Sequence, residues 1–235
     1  MKHLNDTIFS TSNQSIAAIK IIRISGRKAY KIPKIFNFKH SKPREFQLKK
    51  LFHGATLIDI APVLWLPEKK SYTGEDTYEL HIHGSNIIEK LIYEVLGKYN
   101  GFRHAEPGEF TRRAYLNGKL DLLQAESIND IILSQTEEQL RLGQNQLQGA
   151  LSKDIATWRD CILELSTLIE ALIDFSDEEI PDAIKDEFIK KREQIYQDIK
   201  KAVKNARFST LIRDGFSVVI IGKPNVGKSS LINAL

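Results

Sequence analysis

Cysteine is nearly missing from this sequence: among 235 residues there is one, Cys161. A lone thiol excludes an internal disulfide and any cysteine-rich metal site, and it suits a reducing compartment. Cys161 falls on the apolar stripe of a helical pattern, which reads as a core position rather than a nucleophile. Long hydrophobic runs are also missing. None approaches the roughly 18 apolar residues of a membrane span, and Met1-Lys2-His3-Leu4-Asn5-Asp6 contains no signal-peptide core. The expected location is therefore cytoplasmic, with no membrane partner. Internal repeats and low-complexity linkers are absent too. With 42% hydrophobic and 27% charged residues, the chain reads as one or two globular domains plus a further piece.

Charge of one sign is missing from two stretches. Residues 20–50 hold eleven lysines and arginines against the single acid Glu45, whereas Asp174, Asp177, Glu178, Glu179, Asp182, Asp186 and Glu187 face only Lys185. Each run fits a solvated face; the basic one also fits a footprint on RNA, and the net charge of +4 is compatible with that.

What is present begins with short strand-like runs. Thr7-Ile8-Phe9, residues 19–24 and the period-two run 77–84 read as strands. Two more candidates fall in 52–66, where Pro62 marks an edge or a turn. Residues 27–36 predict a short helix stopped near Pro33. Ile87, Ile88, Leu91, Ile92, Val95 and Leu96 have helical spacing. This is an α+β domain. His81 and His83 share a strand face, a spacing that suits a metal, but no third ligand accompanies them and a structural role is the stronger reading. From Leu120 the period changes to that of long amphipathic helices. One is expected to continue past Leu147, a second carries Ile155, Trp158, Ile162, Leu165 and Ile169, and a third starts near Asp182, after Pro181. Three such stripes packed together make a helical bundle, with a hinge expected near 209–215.

The end of the sequence is the most specific stretch. Residues 216–221 read as a strand buried on both faces, Gly222-Lys223-Pro224-Asn225-Val226-Gly227-Lys228-Ser229 fits G-x-x-x-x-G-K-[ST], and Ser230-Leu231-Ile232-Asn233 begins a helix. Glycines at these places let successive backbone N–H groups turn inward around an oligophosphate, and the following helix end adds positive potential. Lys228 is then expected to reach the β- and γ-phosphates, and the Ser229 hydroxyl to ligate Mg²⁺.

Three motifs in order carry a resemblance. Arg23-Ile24-Ser25-Gly26, then Ser71-Tyr72-Thr73-Gly74-Glu75-Asp76, then Gly108-Glu109-Phe110-Thr111-Arg112-Arg113-Ala114-Tyr115-Leu116-Asn117-Gly118-Lys119-Leu120-Asp121-Leu122-Leu123-Gln124-Ala125-Glu126 resemble the tRNA-modification GTPase family MnmE (TrmE), collinearly over essentially the whole chain. The resemblance implies an N-terminal α+β domain, residues 1–118, that binds folate and dimerises. It further implies an incomplete all-α helical domain over 119–212, then the first strand, P-loop and helix of a truncated α/β P-loop GTPase domain over 213–235. Arg23, Glu79 and Lys119 would contact a tetrahydrofolate derivative (5-formyl- or methylene-tetrahydrofolate); Asn225, Val226, Gly227, Lys228, Ser229 and Ser230 would hold GTP, with Ser229 on Mg²⁺ and Asn225 on K⁺. The implied activity is GTP hydrolysis coupled to forming the 5-carboxymethylaminomethyl (aminomethyl) group on the tRNA wobble uridine. The implied partners are tRNA, a second copy joined through the N-terminal domain, and a flavin- and NADH-dependent protein of MnmG/GidA type. Thr11-Ser12-Asn13-Gln14-Ser15, Lys20 and Gly84-Ser85 depart from the family pattern.

A GTP-switched RNA-binding or assembly GTPase without modification activity shares the phosphate loop but not the α+β domain or the 109–126 motif; a folate-dependent aminomethyltransferase leaves the phosphate loop unexplained. No catalytic residue is assigned, because the switch regions and the Walker-B ligand would follow residue 235. The 235-residue chain alone is therefore expected to hydrolyse no GTP at a useful rate, and turnover in a phosphate-release assay that vanished in Lys228→Ala would refute this.

Overall fold

A computed structural model describes residues 5–13, 17–174, 182–215, 219–223 and 226–234, which fall into two compact units, Met1–Ala125 and Glu126–Leu235. The first unit is built on a mixed six-stranded sheet. Its strands are β1 (Thr7–Thr11), β2 (Ile19–Ser25), β3 (Gln47–His53), β4 (Thr56–Leu66), β5 (Thr77–His83) and β6 (Phe102–His104), in the order β3-β4-β5-β2-β1-β6. All neighbours are antiparallel except β1 and β6. Three helices belong to it: α1 (Ile32–Ile35), α2 (Asn86–Gly97) and α3 (Glu109–Leu116).

Strand alternation decides which face is covered. In β2, Ile22 and Ile24 are fully buried, while Ile21 and Arg23, which alternate with them, point the other way and are only half-buried. Leu80 and Ile82 of β5, Val63 and Ala61 of β4, and Leu51 of β3 continue the same face into one core with Ile32 and Phe36 from the α1 region and Ile92, Val95 and Leu96 from α2. Lys20 also belongs to this covered face. It is 1% exposed, and its amine donates to Asn86 Oδ1 at 2.6 Å and pairs with Glu89 at 2.5 Å, both in the first turn of α2. Ser85 caps that helix, its hydroxyl accepting the Ile87 N–H. A helix start that favours carboxylates thus supplies the partner of a buried ammonium.

Three expectations for this unit need correction or refinement. Pro33 does not stop the short helix: it occupies the first turn of α1, where its missing N–H costs nothing. The strand pair expected within 52–66 starts earlier, at Gln47, because the Lys49-Lys50 charges sit at a sheet edge that tolerates them. Pro62 lies inside β4 but opposite Leu48 of β3 only, one residue before pairing with β5 begins at Val63.

The second unit is helical. α4 (Leu122–Leu133) leads into it and is followed by α5 (Glu137–Leu147), α6 (Ala150–Asp174), α7 (Asp182–Asp214) and α8 (Lys228–Ala234). The single helix expected from Leu120 past Leu147 is two helices. Thr136 starts a new one with a capping box: its hydroxyl accepts the Gln139 N–H at 3.2 Å, and the Gln139 side chain accepts the Thr136 N–H at 3.2 Å. The stripes bury less than their period implies. Leu165 of α6 and Ile195 of α7 are buried, whereas Ile155, Ile162 and Ile169 of α6 and Val203 of α7 are 42–56% exposed. α6 packs against both α5 and α7, and its stripe is still half open. Cys161 is likewise half-buried rather than in a core. The hinge expected over 209–215 is still helix to Asp214, and the turn comes at Gly215, with φ 72°.

Leu80 is fully buried in register with Ile22 on one side and Val63 on the other. Leu80→Ala should cost about 2–5 kcal/mol in urea unfolding, whereas Leu48→Ala, at a position 70% exposed, should change it by less than about 0.5 kcal/mol.

Candidate functional site

The three sequence motifs meet at the end of β2. Gly26 follows that strand with φ 139°, and a Cβ there would lie 2.7 Å from the Thr7 Cα. Only glycine fits. Its N–H donates to the Asp76 carbonyl, and Ser25 Oγ lies 2.6 Å from Thr73 Oγ1, so the 71–76 loop is sewn to the strand. Asn117, just after α3, donates to the Thr73 carbonyl at 2.7 Å.

Beneath the loop lies a buried ion network. The Arg113 guanidinium, 1% exposed, donates to both Glu75 oxygens at 3.1 and 3.0 Å, to the Asp6 carbonyl at 2.8 Å and to Glu109 at 3.0 Å. Glu109 also accepts from Arg103 at 2.6 and 2.8 Å and from the Glu106 N–H at 2.9 Å. Burial alone would raise the Glu109 carboxyl. The hydrogen bonds from Arg103, the Glu106 backbone and Arg113, with the Arg113 charge, outweigh it and hold Glu109 at about 2. Arg103 is correspondingly pushed up by its bond to Glu109. The motif letters carried Glu75, Glu109 and Arg113 without a role; the one local signal was the four-residue spacing of Glu109 and Arg113 on a helix.

On the opposite sheet face from the core, Arg23 and Glu79 are direct cross-strand partners, and Arg23 Nε donates to Glu79 Oε1 at 2.8 Å. The guanidinium carbon lies 5.6 Å from the centroids of both the Tyr72 and Phe110 rings. Tyr72 is fixed by a 2.9 Å hydrogen bond to Thr111. The Arg23 side chain is 38% exposed, which leaves donors for a ligand beside a carboxylate that accepts them. His81 Nε2 lies 3.7 Å from Glu79, buried and without a hydrogen-bond partner among the described residues. His83 instead engages Asp59 at 2.8 Å, so the two histidines have different partners. Lys119 stands elsewhere: its amine donates to the Lys69 carbonyl at 2.8 Å, its stem lies along Gly74, and no hydrogen bond or ion pair joins it to Arg23 or Glu79. A polar cleft of about 540 Å³ in this unit is lined by Asn5, Arg27, Glu75, Arg113 and Asn117 among others; Arg23, Glu79 and Lys119 are not in its lining.

In the second unit, Lys228 opens α8 and its amine donates to the Gly222 and Lys223 carbonyls at 2.9 and 2.6 Å, bringing it to the start of the loop. Gly227 has φ 89°, and its carbonyl accepts the Leu231 N–H at 2.9 Å. Val226, Ser229 and Ser230 are exposed. Asn225 lies outside the described residues, as do residues 216–218 of the expected strand. Val219, Ile220 and Ile221 are described and form no strand; Val219 and Ile221 are 75% and 90% exposed, and no described strand lies beside them to supply the pairing a strand needs.

Comparison with known proteins agrees in two places. The family description "GTP-binding protein TrmE N-terminus" matches residues 7–119, and "MnmE helical domain" matches 122–228. Among curated proteins, the chain is 42% identical over 234 residues to the tRNA modification GTPase MnmE of Beijerinckia indica subsp. indica, covering 98% of this chain and 52% of that protein. The protein of the same name from Phenylobacterium zucineum is 41% identical, with 99% and 52% covered. That of Neorickettsia sennetsu is 42% identical, with 97% and 41% covered. The chain spans about half the length of the curated relatives it matches.

Because the folded Glu109 value, about 2, lies below its ordinary 4.5, its ionisation stabilises the fold above pH 4.5. That contribution is lost as pH falls from 4.5 towards 2. Acid unfolding followed by circular dichroism should show a descending limb in that window. Glu109→Gln should flatten the limb while lowering stability at neutral pH.

Proposed function

The chain belongs to the tRNA modification GTPase MnmE (TrmE) family, and from that premise we propose that it supplies the folate-binding and helical portions of a GTP-dependent tRNA modifier. The observation that carries the reading is the Arg23–Glu79 pair held across β2 and β5, with the Arg23 guanidinium beside the Tyr72 and Phe110 rings. Glu79 presents a carboxylate to the amide-like donors of a pterin. Arg23 faces its ring oxygen or the folate carboxylates, and the two rings offer flat apolar walls. A bound reduced folate would supply the one-carbon unit; the residues of this chain bind it, orient it and wall it from water. Lys119 joins this site through a rotation of its exposed side chain away from the Lys69 carbonyl.

The phosphate loop is the second half of the reading. Lys228 and the Gly227 backbone would hold the β- and γ-phosphates of GTP, the Ser229 hydroxyl would ligate Mg²⁺ and Asn225 would take K⁺, with Val226 and Ser230 completing the cradle. We assign the division to residues 1–118, 119–212 and 213–235. Dimerisation through the first of these, an MnmG-type flavin- and NADH-dependent partner, and formation of the 5-carboxymethylaminomethyl group at the wobble uridine belong to the same proposal.

Titration of the chain with 5-formyl-tetrahydrofolate, followed by calorimetry, should give saturable binding. Arg23→Ala and Glu79→Ala should each weaken it about ten- to a hundredfold, the worth of a charge-assisted hydrogen bond in a desolvated site. Absence of binding in the parent chain would turn the reading towards a GTP-switched RNA-binding protein without modification activity.

A further inference from the structure

Apart from Arg23 and the buried Lys20, the basic run over residues 20–50 is used by neither the Arg23–Glu79 site nor the phosphate loop, and the fold gathers much of it at one border of the sheet. Lys34 lies on α1, Lys39, Lys42 and Arg44 in the loop that follows, and Lys49 and Lys50 on β3, the edge strand. These elements are contiguous. The Phe38 N–H bonds the Pro33 carbonyl, the Phe52 N–H bonds the Phe36 carbonyl, and the Lys49 amine sits 6.0 Å over the Phe38 ring. The only acid nearby in sequence is Glu45, 3.8 Å from Lys42; Lys34, Lys39, Arg44 and Lys50 have no acidic partner among the described residues.

Two further features separate this patch from a merely soluble border. Lysines on an edge strand guard against strand pairing, which accounts for Lys49 and Lys50 but not for those on α1 and its loop. The loop is also held in an unusual backbone. Asn37 and Arg44 are the non-glycine residues with positive φ among those described, at 53° and 61°. For arginine that conformation is strained and is sustained here by the Arg44 N–H bond to the Trp65 carbonyl at 2.8 Å. That bond anchors to β4 the backbone that carries the exposed Arg44. Adjacent strand residues point to opposite faces, so Lys49 and Lys50 wrap the positive charge around the edge. A phosphate chain can follow such a curved ridge, whereas a flat anionic bilayer meets one plane of it.

We infer that this α1–β3 border is a binding face for the phosphate backbone of RNA. The inference rests on charge and placement, independent of folate or GTP binding, so those assays can fail without touching it. The test is a fluorescence titration of an unmodified tRNA transcript with the full chain between 50 and 200 mM salt. The variant combines Lys34→Gln, Lys39→Gln, Arg44→Gln and Lys50→Gln. The control combines Lys190→Gln, Lys200→Gln, Lys201→Gln and Lys204→Gln on exposed faces of α7. Each phosphate contact contributes about 0.7–0.9 to the slope of log K against log salt, so the border variant should lose about three in slope and at least tenfold in affinity at 50 mM, with the control near the parent. An unchanged slope in the border variant, an equal loss in the control, or binding to phosphatidylserine vesicles in place of RNA would each overturn the inference. All eight positions are exposed, and an unchanged melting temperature verifies that the fold is intact.

Discussion

A guanidinium enclosed by protein organises the first unit. Arg113 has no water to return its charge to, so every donor it turns inward must find an acceptor, and the acceptors come from Asp6 just ahead of β1, the 71–76 loop and its own helix. Glu109, shared with Arg103, closes the set. Removing one member strands the others, which makes the junction a unit rather than a sum of pairs. Because the 71–76 loop is held by this network, Tyr72 is held too, and through Tyr72 and Phe110 the surroundings of Arg23 are set.

Seen this way, two kinds of site differ in how they were legible. The phosphate loop could be read letter by letter, since cradling an anion with backbone N–H groups demands glycines at fixed offsets followed by lysine and a hydroxyl. The Arg23–Glu79 pair could not be read from spacing, because 56 residues separate two side chains that only the β2–β5 register brings opposite one another. Family resemblance supplied those names; chemistry alone left each as an ordinary surface charge. The same resemblance named Lys119, which the fold ties to a loop carbonyl instead.

The elements followed a similar rule. Strands with strict alternation, such as β2 and β5, and the helix carrying Ile92 and Leu96 were visible in the sequence because period and burial coincide there. Pro33 misled because proline marks both ends of helices, and only the chain beyond it tells which. The break at Thr136 was visible in principle, as Thr-x-x-Gln ahead of an apolar run, but the continuing helical period on both sides masked it. In α6 and α7 the period was right and its burial overestimated, since periodicity reports a face suited to burial and says nothing of how many neighbours come to cover it.

The pairing of β1 with β6 has a consequence for how the polypeptide comes into being. Thr7 is aligned with Phe102 in a parallel register, so the sheet's far border cannot assemble until nearly the entire first unit has emerged from the ribosome. Until then β1 has one bonded side, and its other edge waits for a partner made last. The buried ion network reaches across the same span, from the Asp6 carbonyl to Arg113, and it locks only after that late closure.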